Sequence, residues 1–358
     1  MDENRAILIS DVHMDQWETD LGTNGAADKR RAFLDFLDWV RTSSRAKRFI
    51  ICGDLLDIPT RTGAALLPQY LDVAQKLAEL VNADIEFTYV VGNHDSGIVG
   101  LEVAMTDPTI RVDYPWVRLK SGGKVFLLEH GHLYDPWLWE YVRYHGATML
   151  KREPRKPGML TLMGPRAAAA TDAMDPDGLR EGVLEMWQVH REEAAYQGDR
   201  VHALAAAVET AIAQDYEGRE PDAKGQQALQ DLKHVKTALP AAPGAGPHTF
   251  SLAVPSWDDV KDHVGNLVTY LYSGPHWRRV ARQRVQDLAA DLDTKVDGVV
   301  MGHTHYADHD TWEEAGTTYQ YVNSGSWRKD SADMVLIESG KLKLYKRTWT
   351  DGWPALPR

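Results

Sequence analysis

Five short stretches of this 358-residue sequence concentrate side chains able to do chemistry: Asp11-Val12-His13, Gly53-Asp54-Leu55-Leu56-Asp57, Gly92-Asn93-His94-Asp95, His130-Gly131-His132 and Gly302-His303-Thr304-His305. Together they offer carboxylates, imidazoles and an amide. Hard oxygen with borderline nitrogen, and no thiolate, suits divalent Mn, with Fe or Zn as alternatives, better than Ca. It also argues against a structural Cys-based zinc site. Two such cations about 3.5–4 Å apart need a bridging carboxylate and hold a hydroxide as nucleophile at neutral pH. Asp54 is the natural bridge. His130-Gly131-His132 contains two candidate ligands. Its position at the end of the run Val125 to Glu129 favours His130, leaving His132 behind it or facing a substrate.

Residues so far apart meet only if the fold delivers them to one place, and the runs before the motifs read as strands. Ala6–Ser10, Phe49–Cys52, Ile85–Val91 and Gly298–Met301 are short aliphatic or β-branched runs, each followed at once by a motif. Lys124–Leu128 reads as the second arm of a hairpin with Val117–Leu119, turning around Ser121-Gly122-Gly123. Ala32, Phe33, Phe36, Leu37 and Val40 recur at helical spacing, predicting a helix over about 28–43. Tyr70, Leu71, Ala74, Leu77, Ala78 and Val81 predict a second. Strand, helix, strand, helix, strand points to an α/β unit with parallel pairing, whose strand-end loops face a common crevice. Alternation along a strand lets His303 and His305, two apart, point the same way. The glycines before Asp54, Asn93 and His303 are expected to turn the chain sharply off each strand.

Between about 136 and 292 strand signals almost vanish, alanine becomes abundant, and helical stretches are broken by Pro/Gly clusters such as 240–248. This predicts a mostly helical insertion or cap over 136–292 between two parts of one core, 1–135 and 293–358. Tyr270, Tyr272, Trp277, Arg278, Arg279, Arg282 and Arg284 mix aromatics with a basic run. They are suitable walls for an anionic or lipid-like substrate, or else a solvated helix face. Trp137 and Trp139, close after His132, are expected either to border the predicted mouth or to pack against the insertion. Strands return at Thr317–Val322, Met334–Ile337 and Leu342–Lys346, with a turn at Ser339-Gly340.

Composition narrows the classes. The net charge of −12 and the lack of a long basic stripe disfavour nucleic acid as partner. One cysteine, Cys52, excludes an internal disulfide and reads as a small buried apolar residue. No apolar run reaches the ~18 residues of a spanning helix. The polar, acidic start of the chain lacks the basic-then-apolar pattern of a signal peptide, so a cytoplasmic protein is expected.

The ordered set D-x-H, G-D-x-x-D, G-N-H-D, H and G-H-x-H resembles the calcineurin-like metallophosphoesterase superfamily, over roughly 5–135 and 295–347. The resemblance implies an αββα sandwich, an α/β (α+β) fold, carrying the helical insertion. It implies one metal site from Asp11, His13, Asp54 and His305, and a second from Asp54, Asn93, His130 and His303. His94 matches the histidine that contacts the phosphoryl group and assists the leaving group; Asp95 would orient it, and Asp57 would support. Asn323-Ser324-Gly325-Ser326-Trp327 looks like the family's turn after the last metal motif.

The implied activity is dinuclear-metal-dependent hydrolysis of a phosphate ester or anhydride by metal-activated hydroxide, on a phosphorylated small-molecule or lipid-linked substrate. A helical insertion at this point resembles that of UDP-2,3-diacylglucosamine pyrophosphohydrolases. His130-Gly131-His132, in place of their His-Gly-Asp, is closer to small bacterial phosphodiesterases. A phosphoesterase of unassigned substrate therefore ranks first, the lipid-linked pyrophosphohydrolase second, then a nuclease, then a metal-binding scaffold without turnover. No ligand position and no His94 equivalent is lost, as a scaffold would show.

Overall fold

A computed structural model describes residues 5–56, 67–95, 110–136, 197–238, 257–273, 275–291, 295–354 and 356. The chain separates into two compact units: Met1–His132 with Arg278–Arg358, and Leu133–Trp277.

The first unit carries the strands β1 (Ala6–Ile9), β2 (Arg48–Cys52), β3 (Glu86–Val90), β4 (Ile110–Asp113), β5 (Trp116–Ser121), β6 (Lys124–Glu129), β7 (Gly298–Met301), β8 (Asp308–Glu314), β9 (Thr317–Asn323), β10 (Met334–Glu338) and β11 (Lys341–Tyr345). They form a six-stranded sheet in the order β11-β10-β1-β2-β3-β4 and a five-stranded sheet in the order β5-β6-β7-β9-β8. β1 to β4 run parallel, as do β6, β7 and β9; β5, β8, β10 and β11 pair antiparallel.

Side-chain alternation builds the layers. Ala6, Leu8, Ile50 and Cys52 on one sheet pack against Phe126, Leu128, Val300 and Val322 on the other. Their neighbours Ile7, Ile9, Phe49 and Ile51 point outward onto Phe33, Phe36, Val73 and Leu80 of α1 (Trp17–Thr42) and α2 (Leu71–Asn82). Each such side chain, fully buried, contributes about 1.5–3 kcal/mol. α1 starts well before the predicted helix. Its first turns carry little apolar periodicity, yet Trp17 is buried, and the chain kinks at Gly22.

The other face of the five-stranded sheet carries buried Leu127, Val299 and Tyr321, aligned across β6, β7 and β9. α6 (Pro275–Asp291) runs along this face. Arg278 forks onto Asp308 at 2.8 and 2.7 Å, Arg282 meets Asp310 at 3.0 Å, and Gln286 meets Glu314 at 3.0 Å. From Arg278 to Arg282 the helix rises about 6 Å and from Asp308 to Asp310 the strand about 6.6 Å, so these two rungs match in spacing. Arg284 also reaches Glu129 at 3.4 Å. From Arg278 onward this helix therefore belongs with the first unit, although the sequence reading counted it with the insertion. Helices on one face, two sheets and a helix on the other make an αββα sandwich.

In the second unit α3 (Gln197–Asp215), α4 (Ala223–Ala238) and α5 (Trp257–Tyr272) pack around Leu204, Val208, Leu232, Val235, Leu267 and Leu271. Ala203, Ala207 and Ala211 lie on the buried face of α3, where small side chains let neighbouring helices approach. Asp231 accepts a bond from His263 at 2.6 Å, and His263 stacks on His234. Tyr270 and Trp277 are buried, so the predicted aromatic wall is largely internal packing. Among the described residues no helix is long and apolar enough to cross a membrane. Trp137, Trp139, Asp57, His145, His190 and His248 lie outside the described residues.

Candidate metal centre

All five motifs leave the carboxyl ends of parallel strands: β1 leads to Asp11 and His13, β2 to Asp54, β3 to Asn93 and His94, β6 to His130, and β7 to His303 and His305. Among the described residues ten that are not glycine hold a positive φ, and five of these are Asp11 (52°), His13 (45°), Asp54 (58°), His303 (68°) and His305 (62°). A left-handed backbone costs such residues about 1–3 kcal/mol and concentrates at functional sites. The sharp turns are thus made by the candidate ligands themselves. Of the three glycines only Gly53 has a positive φ, at 88°. The others serve close approach: a Cβ on Gly92 would sit 2.1 Å from Asp54 Oδ1, and one on Gly302 would sit 2.5 Å from Asp11 Oδ2.

The side chains converge. His305 Nε2 lies 3.2 Å from Asp11 Oδ1 and 3.2 Å from His13 Nε2. His130 Nε2 lies 3.1 Å from Asp54 Oδ2 and 3.1 Å from Asn93 Oδ1, which is 3.2 Å from His303 Nδ1. Asp54 Oδ2 is also 3.7 Å from His13 Nε2, so one oxygen stands between the two groups. Asp11 belongs to both trios with metal-binding spacing, Asp11-His13-His305 and Asp11-Asp54-His130. His130, rather than His132, presents its Nε2 here; the His132 ring lies against those of His130 and His303, 5.4 and 6.4 Å between centroids.

The electrostatics favour a cation. Asp11, Asp54, His13 and His130 are buried. Burial opposes a charge on His130, yet Asp54 and Asp11 push its pKa up to about 10. Burial pushes His13 down to about 3, against the pull of Asp54. Two buried carboxylates thus demand positive charge at their centre, and a divalent cation supplies it while taking the imidazoles as neutral ligands. Oxygen and nitrogen donors without sulfur fit a divalent transition metal.

Bonds behind the ligands leave the inward atoms exposed to that centre. Asp11 Oδ2 accepts from Ser10 Oγ and from His303 N (2.9 Å), an N–H that also reaches Oδ1 at 3.1 Å, while Oδ1 faces His305. Ser10 Oγ is bonded in turn to Ser324 Oγ at 2.6 Å. Asn323 Nδ2 donates to Gly302 O at 2.8 Å, so the turn after β9 braces the loop carrying His303 and His305. Trp17 Nε1 donates to Val12 O at 2.9 Å, inside the first motif. His130 Nδ1 donates to Cys52 O at 2.8 Å, which fixes the tautomer that turns Nε2 inward. Sequence reasoning missed Ser10 and Trp17 and gave Ser324 only as part of a family-like turn; Ser10 beside Asp11 was the available signal.

His94 is half-buried, its ring edge-on to that of His13 at 4.8 Å, and its N donates to Asp54 Oδ1 at 2.9 Å. The expectation that Asp95 orients the His94 ring needs correction. Asp95 instead accepts from Gly92 N (2.7 Å), Leu55 N (3.1 Å) and Tyr89 OH. Burial and the charge of Asp54 raise its pKa to about 7. A carboxylate three residues after Gly92 closes onto backbone amides more readily than onto its neighbour's ring.

A two-sheet sandwich with such a centre at its strand ends defines a metal-dependent phosphoesterase. The chain belongs to the calcineurin-like phosphoesterases, whose family model matches residues 5–180. It is accordingly a hydrolase acting on a phosphorylated substrate. The match ends before β7, so His303 and His305 join the centre through the fold. A dimetal phosphatase from Danio rerio is similar in structure, with 14% identity, 98% of both chains covered and a TM-score of 0.38. No curated protein matches the sequence.

Proposed function

We propose that this protein hydrolyses a phosphate ester or anhydride at two divalent cations, manganese first among them. The observation that carries the reading is Asp54 Oδ2, placed 3.1 Å from His130 Nε2 and 3.7 Å from His13 Nε2, between two ligand groups. Asp11, His13, His305 and Asp54 would hold one cation; Asp54, Asn93, His130 and His303 would hold the other. Such a pair supplies a nucleophile from water at neutral pH and neutralises phosphoryl charge. The chain does the rest. The ligands Asn93, His303 and His305, and His94 beside them, are half-buried while the other ligands are buried, so substrate meets this side. A protonated His94 ring donates to the leaving oxygen. Its amide is tied to Asp54, which registers the acid against the bridging carboxylate. We further propose that the segment between the fourth and fifth motifs, which forms its own unit over Leu133–Trp277, selects the substrate.

Metal analysis with a substrate panel in Mn²⁺ tests the reading. The panel holds 4-nitrophenyl phosphate, bis(4-nitrophenyl) phosphate, an acylated UDP-sugar, and single- and double-stranded nucleic acid. Two cations per chain and chelator-sensitive hydrolysis are expected. Full activity in chelator, or no hydrolysis of any member, overturns it.

A further inference from the structure

We infer that Tyr89 is a positioning residue of the metal centre, setting the distance between Asp54 and Asn93 through a buried clamp on Asp95. This rests on the two-cation reading above.

Tyr89 lies on β3, opposite Ile51 in the parallel register, and its ring packs in the layer between the six-stranded sheet and α1 and α2. Packing alone would be served by phenylalanine. The hydroxyl, however, makes two bonds at one point: it donates to Asp95 Oδ2 and accepts from Leu55 N at 3.3 Å. Asp95 Oδ2 takes the same Leu55 N at 3.1 Å, and its Oδ1 takes Gly92 N at 2.7 Å. Leu55 directly follows Asp54, and Gly92 directly precedes Asn93. The carboxylate therefore staples the loop after β2 to the loop after β3 at the residues adjoining one ligand on each. The phenol anchors the staple to the body of the sheet.

What the clamp controls is specific. His130 Nε2 faces Asp54 Oδ2 and Asn93 Oδ1 at 3.1 Å each, so this half of the centre depends on the spacing of exactly the two loops that are stapled. The other half takes Asp11, His13 and His305 from the loops after β1 and β7, which Asp95 does not touch, and shares only Asp54 with the stapled loops. Loss of the hydroxyl should loosen the cation held by both stapled loops, through Asp54 and Asn93, far more than the one that shares only Asp54 with them. Partners behind metal ligands are typically worth about 10–100-fold in metal affinity.

Tyr89→Phe keeps the ring and removes only the hydroxyl. Calorimetric Mn²⁺ titration of the metal-stripped full chain should resolve two steps in the wild type. In the variant one step should weaken about 10–100-fold and the other far less, and excess Mn²⁺ should restore hydrolysis. Asp95→Asn should weaken the same step. Both steps unchanged, or both weakened equally together with a lower Tm, overturns the assignment, since a purely structural phenol would act on both alike. Failure of the wild type to bind two cations would instead overturn the two-cation reading.

Discussion

Gly92 has no room for a methyl group, because Asp54 Oδ1 occupies the place its Cβ would take, at 2.1 Å. Gly92→Ala must push the loop after β3 away from the bridging carboxylate. Cation affinity is expected to fall at least 10–100-fold, the size of a disturbed ligand support. Gly265→Ala, on an open face of α5, should leave cation binding unchanged and raise stability by up to about 1 kcal/mol. Binding isotherms and melting curves of both variants check this, and equal effects would refute the packing argument. His94 poses a different question. His94→Asn should lower kcat by about 10²–10⁴ while leaving two cations in place, as for a lost general acid. The deficit should shrink with nitrophenolate leaving groups. The same deficit for every leaving group would limit His94 to holding the phosphoryl group.

At the scale of elements, the turn after β9 and the start of β10 support the centre from behind. Trp327 stands 4.9 Å from both Phe33 and Phe36, and its Nε1 donates to Asp333 O at 3.0 Å. Burial raises the Asp333 carboxyl to about 6, although Arg347 N donates to it at 3.0 Å. A carboxyl whose folded pKa exceeds its unfolded value holds its proton better when folded. Its contribution is therefore greatest below about pH 4 and is lost as pH rises through 6. Asp333→Asn should remove that slope and gain roughly 2 kcal/mol relative to wild type above pH 6. Denaturant unfolding at pH 4, 5, 6 and 7 measures it; a difference independent of pH would contradict the assignment. β8 shows why some elements escaped sequence reading. Asp308-His309-Asp310-Thr311-Trp312-Glu313-Glu314 has no apolar face, because α6 meets its acids with arginines. The basic run of α6, suited by composition to an anionic substrate, largely serves that clasp.

For the whole molecule, both sheets and all seven candidate ligands belong to the unit formed by Met1–His132 and Arg278–Arg358. Replacing Leu133–Trp277 by a Gly/Ser linker should therefore leave a folded core that binds two cations and hydrolyses a small diester. Discrimination between that diester and the preferred panel substrate should collapse. Circular dichroism, metal content and kcat/KM for the two substrates decide it. Retained discrimination would place specificity in the core loops, and loss of cations would show that the helical unit helps to build the centre.

The sequence alone determined which residues could meet at the centre and which strands deliver them. Short aliphatic runs ending in Asp, Asn and His are local patterns, and parallel strands bring their carboxyl ends to one side. It also determined the helical character of the described insertion, since helical periodicity is local. Tertiary structure alone decided which atom each ligand turns inward. That depends on partners distant in sequence: Ser324 behind Ser10 and Asp11, Cys52 O behind His130, and Leu55 N and Tyr89 on Asp95. It likewise decided that Gly92 and Gly302 serve approach rather than turning, and that the α6 arginines meet acids. Packing and ion pairing are properties of two surfaces in contact, and a single chain segment records only one of them.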